Sequence, residues 1–455
     1  MKRPNPSPSS TTSADSATVG TARGGAPRKG LGLASLEGSP RGDASHAIPV
    51  QDTPATLGLD CTAETALKVE VCGSWAELEA HSGKWERLLM STPSASIFVT
   101  PEWLGAWWAA FAPERRLMAL LFFDVAGELV GLAPLYQDVI EGPLGLRLNR
   151  LRLVGDGSND SDNLDFVLCP GYERSCVSAF FSWLERQSDW AVCELNTLPS
   201  DSATATWIVR GLTERGWVHQ SRTCPRLVVL LPPRWEDYLA RLSRNERWRI
   251  VSHSRRLEAK YRVRVRRSTD EAELAPDLDT LFRLHQKRWE SRDQRGSFTS
   301  QARRKFYGGM ARRFLARRWL EFWLLELDGK PLAAQFGFRY RQTLYLLQEG
   351  FDPDYAQDRI GAVLRAHVLR QVIPEGVRRY DFLAGDGGGK EQWGPERWHY
   401  LDIHFAKSAS RGSLYLDLRR ISQAAKEWLR AHLPPLLFAT VRQTYHVLKD
   451  HTSLR

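Results

Sequence analysis

One order of secondary-structure elements is written twice along this chain, and that repeat limits the fold more than any other feature. In the second half, Leu320-Glu-Phe-Trp-Leu-Leu-Glu-Leu327 runs into Asp328-Gly329 and is answered by Pro331 to Tyr340. Asp-Gly between two apolar runs is the strongest short-range sign of a β-hairpin, because both turn residues tolerate positive φ. A third strand over 343–349, a helix over 361–374 and a strand over 379–383 follow. The first half shows the same order: Met118–Val125 and Leu129–Tyr136 around Gly127, strands over 151–154 and 165–169, a helix over 173–187, a strand over 190–198 and a helix over 203–216. Before them lie a helix over 74–90 and a Trp-rich helix carrying Trp107 and Trp108. The repeat predicts an α/β chain of two similarly built domains, over 66–225 and 226–411, each a mixed central sheet flanked by helices.

The second domain opens with a basic helix over 235–260 and a strand over 261–267. A helix over 278–289 puts Leu278, Leu281, Phe282, His285 and Trp289 on one face. Residues 1–65 are rich in Ser, Thr, Pro, Gly and Ala and almost free of aromatics, which predicts a disordered tail. The remainder has ample means to build cores, with 17 Trp in 455 residues. Six Cys are scattered without a metal-type spacing and read as reduced thiols, and no metal site is expected. No apolar run reaches the ~20 residues of a membrane-spanning helix, and the N-terminus lacks a secretory apolar region, so a cytoplasmic protein is expected. A net charge of +10 favours anionic partners, among them nucleotides, CoA, nucleic acid and membrane surfaces. The segment 412–455 reads as a basic helical tail with Leu414, Leu416, Leu418, Ile421 and Trp428 before Pro434-Pro435. It suits peripheral contact with a membrane as an amphipathic helix, or packing on the body.

Two stretches carry chemistry. In Gln348-Glu-Gly-Phe-Asp-Pro-Asp-Tyr-Ala-Gln-Asp-Arg-Ile-Gly-Ala362 a strand ends and a helix opens. Free N–H groups at a helix start bind anions, Gly361 lets a diphosphate approach the backbone, and Arg359 adds charge. Gln348, Gly350, Arg359, Ile360, Gly361 and Ala362 are therefore the candidate cofactor-binding residues; the alternative is an ordinary helix start capped by Asp358. In Tyr380-Asp-Phe-Leu-Ala-Gly-Asp-Gly-Gly-Gly-Lys390 a strand delivers Asp381 and Asp386, then a Gly run and Lys390. Backbone amides and a Lys can stabilise phosphate or a developing oxyanion. Asp381, Asp386, Lys390 and His285 are the candidate catalytic residues, with His285 equally readable as a core histidine. The acidic loop Asp156-Gly-Ser-Asn-Asp-Ser-Asp162, with Asp165, departs from the calcium-loop pattern and reads as a turn or substrate-side rim.

Together these pieces resemble the GNAT acetyltransferases of the CelD-like or BioF-like type, relatives of the Fem-type aminoacyltransferases. The matching stretches include Phe98-Val-Thr-Pro-Glu-Trp103, Gly131-Leu-Ala-Pro-Leu135, Leu284-His-Gln-Lys-Arg-Trp289, Gly350-Phe-Asp-Pro353, Tyr380-Asp-Phe382 and Trp393-Gly394. The resemblance implies two tandem GNAT-like domains, with an acyl-CoA such as acetyl-CoA held in the second between splayed parallel strands. It implies acyl transfer to an amine or hydroxyl acceptor, small or sugar-linked, with a tie to polysaccharide or cell-envelope synthesis. This chain has Gly389 where the family places an aromatic before Lys390. Nucleic acid is not expected as a partner, except that a Fem-type reading would bring in aminoacyl-tRNA through the basic helix; a non-catalytic GNAT-fold binding protein is the third alternative.

Overall fold

The computed structural model describes residues 66–432 except 143, 144, 146, 159, 295, 386 and 388, and these lie in one compact unit. The tail expected over 1–65, Asp386, and the Pro434-Pro435 break lie outside the described residues. The first half runs β1 (Lys68–Cys72), α1 (Trp75–Ala80), α2 (Ser82–Ser91), α3 (Pro101–Phe111), β2 (Arg116–Leu117), β3 (Ala119–Phe123), β4 (Leu129–Ala133), β5 (Leu135–Glu141), β6 (Arg147–Leu153), β7 (Val167–Leu168), α4 (Glu173–Arg186), β8 (Val192–Pro199) and α5 (Ala203–Glu214). Next come β9 (Val218–Leu230), α6 (Trp235–Arg241), α7 (Arg244–Lys260), β10 (Val263–Arg267), α8 (Glu271–Glu290), α9 (Gln301–Ala316), β11 (Leu320–Leu327), β12 (Lys330–Tyr340) and β13 (Thr343–Phe351). The chain ends with α10 (Ile360–Val372), β14 (Arg379–Ala384), β15 (Glu396–Ala406) and α11 (Arg411–His432).

The second-half elements follow the sequence reading closely. β11 is buried along its whole length, and Asp328 and Gly329 both take positive φ in the turn to β12. Elsewhere local chemistry cuts elements shorter than periodicity suggests. The basic helix over 235–260 is two helices, because Ser243 and Glu246 form a reciprocal capping box that starts α7 afresh. The strand expected over 129–136 breaks at Pro134, which cannot donate to a ladder, into β4 and β5.

Those two pieces belong to different sheets. β4 lies in a four-stranded sheet of order β1-β3-β4-β7, while β5 lies in an eleven-stranded sheet of order β10-β11-β12-β13-β14-β9-β15-β8-β6-β5-β2. The large sheet crosses both halves of the chain. β9 crosses the expected 225/226 boundary and pairs with β14 of the second half, while β15 lies between β9 and β8 of the first. Neither β9 nor β15 was legible as a strand, yet they pair over eleven positions, from Glu396↔Val228 to Ala406↔Val218.

A buried ion pair ties this seam. Asp381 on β14 accepts from Arg226 Nε on β9 at 3.0 Å and from Leu383 N–H at 2.9 Å. The guanidinium lies 5.2 Å from the ring centroids of both Trp398 and Tyr400 on β15. Asp381 is fully buried and the Arg226 side chain is 10% exposed, so removing one partner leaves the other charge stranded. Asp381→Ala should lose about 3–5 kcal/mol in urea unfolding, the range for breaking a buried pair. Replacing both partners with apolar residues should recover part of that loss.

Candidate active site

The sheet forks beside this ion pair. β13 and β14 run parallel and pair at Thr343↔Arg379, Leu344↔Tyr380 and Tyr345↔Asp381, and there the pairing stops. β14 bends away: its register with β9 jumps between Asp381 and Ala384, and Leu383 takes a φ of 60°. β13 stays with β12 as far as Phe351, with a bulge opposite Phe336 and Gly337. Beyond Tyr345, the backbone groups on the side of β13 that β14 has left have no strand to pair with. A cavity of about 1290 Å³ opens between the strands, walled by Leu346 to Glu349 on one side and Phe382 to Gly385 on the other.

The acidic loop of the first half forms the facing wall, and the Trp-rich helix holds it there. Trp107 Nε1 donates to Ser158 Oγ and Trp103 Nε1 to Ser161 Oγ, each at 3.0 Å. Asp160 takes bonds from Arg303 Nε and the Tyr307 hydroxyl of α9, and Asn163 donates to the Tyr400 hydroxyl. These ties present Asp162 to the end of β14, where it accepts from Ala384 N–H at 3.0 Å. Burial pushes the Asp162 pKa up to about 6; the nearby Asp381 charge adds to this, while the Ala384 amide, Arg226 and Lys390 oppose it. A carboxyl that titrates near neutrality in a cavity wall can take a proton from an attacking group.

Lys390 closes the loop after β14. Its ammonium donates to the carbonyls of Phe382 and Ala384 at 3.1 Å and of Gly385 at 2.9 Å, which uses all three of its protons. Burial lowers its pKa. Here Lys390 folds the cavity rim and leaves no proton for a ligand.

The cavity extends to a second fork in the first half, where β6 and β8 pair in parallel only from Arg150↔Val192 to Arg152↔Glu194. That fork is bridged by side chains. Arg152 Nε and Asn196 Nδ2 both donate to Asp156 Oδ2, at 2.8 and 2.7 Å, and Glu194 is bonded to Arg150 and Arg419. Burial holds His404 at a pKa of about 4, so it is neutral. Its Nε2 lies 2.7 Å from the Asn196 carbonyl oxygen and its Nδ1 faces Arg419, which assigns the proton to Nε2.

Of the residues expected from sequence, Gln348 and Lys390 line the cavity. Asp381 does not; its carboxylate is committed to Arg226 and the Leu383 amide. His285 is 2% exposed and not in the wall, with Nε2 accepting from Trp289 Nε1 at 2.8 Å. Burial, with Arg288 and Arg303 nearby, lowers its pKa to about 4, so it is a neutral core histidine. Gly350 is a packing glycine: a Cβ there would lie 2.7 Å from the His285 backbone nitrogen.

Arg359, Ile360, Gly361 and Ala362 start α10 outside the cavity wall. Arg359 takes the cap position with a φ of 55°, and no side chain caps the helix. Asp358, the alternative cap, is bonded instead to Lys260 and Tyr261. Arg359, Arg256 and Arg249 gather near His253, whose pKa is lowered first by burial and then by these charges. Arg365, deeper in α10, pairs with Glu349 of the cavity wall and links the helix start to the fork. Asp162 was missed as a chemical group because nothing local marks it; its burial depends on residues more than 200 positions away.

A mixed sheet that forks between two parallel strands, with a helix starting uncapped beyond the fork, is a GNAT-like architecture. Residues 244–393 match the family described as the acetyltransferase (GNAT) domain, and the chain has a GNAT/Fem-type fold. FemX is 12% identical with a TM-score of 0.52, over 74% of this chain and 96% of FemX. A conserved protein of unknown function from Bacteroides thetaiotaomicron (13% identical, TM-score 0.48, 75% of this chain and 100% of that one) and L-PGS from Bacillus licheniformis (11%, 0.44, 74% and 96%) are more distant in shape. No curated protein matches the sequence significantly. Among the described residues no helix is long and apolar enough to cross a membrane, and no group of three or more His, Cys, Asp or Glu could hold a metal.

If the Lys390 ammonium organises the rim, Lys390→Met should speed amide exchange over residues 382–394 by about tenfold, the effect of losing one to two net hydrogen bonds. The global unfolding midpoint should change little.

Proposed function

We propose that this protein transfers an acyl group from an acyl-CoA to an amine or hydroxyl acceptor, with the fork between β13 and β14 as the donor slot. The observation that carries this reading is the fork itself, open where pairing stops after Tyr345↔Asp381, with an uncapped helix start beyond it. The residues present fit such a donor. The amides of Ile360 and Gly361, with Arg359 and the α7 arginines nearby, suit a diphosphate, and the unpaired edge of β13 suits an amide-bearing arm. When bound, the donor supplies the activated thioester.

In this reading the chain's own groups position and move protons. Edge amides of β13 near Gln348 to Gly350 polarise the carbonyl. Asp162 takes the proton of the attacking amine or hydroxyl, and Lys390 holds the rim that presents Ala384 to Asp162. The acceptor enters from the first-half side, where the cavity wall is polar and charged and suits a polar group. A sugar-linked acceptor and an envelope or polysaccharide role rest on the resemblance alone.

Isothermal titration with acetyl-CoA should show micromolar to millimolar binding that Arg359→Glu weakens; absence of binding at millimolar ligand would remove this reading. Because the base must be ionised, kcat/KM should rise with pH through about 6 and then level. Asp162→Asn should erase that limb and lower kcat about 10²–10⁴-fold, the usual worth of general-base catalysis.

A second reading, an aminoacyl-tRNA donor, draws on α7, where Arg244, Arg247, Arg255, Arg256 and Trp248 are all exposed. It predicts steeply salt-dependent binding of charged tRNA and no response to acetyl-CoA.

A further inference from the structure

α11 does different things on different faces. Toward the body, Leu416 is fully buried, and Gly412 packs so closely that a Cβ would lie 1.8 Å from the Ala191 carbonyl oxygen. Tyr415, Arg419 and Gln423 form part of the cavity wall, and Arg419 reaches Glu194 and His404. Leu414, Ile421 and Trp428 point elsewhere and are 54%, 62% and 60% exposed. A spacing of seven drifts only about 20° around a helix, so the three make one stripe. Every residue from Ile421 to Ala425 is exposed, so this stretch stands largely clear of the body. Scattered surface apolar residues need no explanation, but an aligned stripe ending in Trp does.

Charge selects what covers it. Residues 411–455 contain eight Lys and Arg against three Asp and Glu, a net +5 of the chain's +10 in its last tenth. A second copy would bring the same positive charge against this face. An anionic bilayer is complementary both to the charge and to a stripe of Leu, Ile and Trp, whose amphipathic ring suits the headgroup boundary.

We propose that α11 docks on an anionic membrane surface, with Leu414, Ile421 and Trp428 sunk at the level of the headgroups and the net positive charge of residues 411–455 drawing it to lipid phosphates. The helix lies in the interface plane and does not cross it. Since the other faces of α11 wall the cavity, docking sets that wall beside the lipid, where an acceptor borne by the bilayer has a short path in. That last consequence rests on the acyl-transfer reading, whereas the docking stands apart from it and is read without any activity.

The test is cosedimentation of the full-length protein with vesicles of phosphatidylcholine alone and of phosphatidylcholine mixed with phosphatidylglycerol. Binding to the mixed vesicles should be at least about tenfold tighter, as a few basic residues near an anionic surface confer, and should weaken with salt. I421E/W428E should lose that binding while keeping the wild-type melting temperature and circular dichroism. The proposal is overturned if neither vesicle binds, or if binding survives I421E/W428E. It is equally overturned if sedimentation velocity shows a dimer that I421E/W428E splits, since a second copy then covers the stripe. Loss of binding on removal of residues 433–455, with I421E/W428E unaffected, would place the contact outside α11 and also overturn it.

Discussion

The buried pair between Arg226 and Asp381 sits where three strands must agree. Asp381 is opposite Tyr345 on β13 and Val228 on β9 at once, the last position at which β14 pairs with both neighbours. A carboxylate enclosed there has to be neutralised, and Arg226 of β9 supplies the cation. Arg226, under Trp398 and Tyr400 of β15, ties β14 to β9 at the position where its pairing with β13 ends. The fork therefore opens beside the buried charge pair.

The rest of the site is arranged around that fork by packing from the other half. α3 and α9 clamp the acidic loop through Trp103, Trp107, Arg303 and Tyr307, and the loop delivers Asp162 to the Ala384 amide beside Asp381. Two carboxyls close together in a poorly solvated place are driven apart in function. Asp381 is committed to a guanidinium and the Leu383 amide, while Asp162, held by a backbone amide, has its pKa pushed up by burial. The two halves therefore build one cavity, and the exchange of β9 and β15 across the seam is what keeps them in register.

Much of the second half was legible because its signals are local. The Asp328-Gly329 turn, the unbroken apolar run of β11 and the loop-to-helix transition at Gly361 each declare themselves within a few residues. β9 and β15 did not, since Val218-His-Gln-Ser-Arg-Thr-Cys-Pro225 is mostly polar and its partners, His399 to Ala406, lie far along the chain. α9 escaped notice because Gly308, Gly309 and a string of arginines dilute its apolar face, which appears only as Phe306, Tyr307, Met310 and Phe314 pack inward. The same limit explains the site. Sequence marked Asp381 because it follows an apolar strand, but whether a carboxylate is a pin or a base depends on partners that only tertiary structure supplies.

A crystal structure of the protein with acetyl-CoA would test the donor slot most directly. The account predicts the pantetheine arm between Leu346–Glu349 and Phe382–Gly385, with the diphosphate on the amides of Ile360 and Gly361. Density for the ligand in the first-half fork beside Asp156 and Asn196, or β13 and β14 zipped together around an empty α10 terminus, would contradict it.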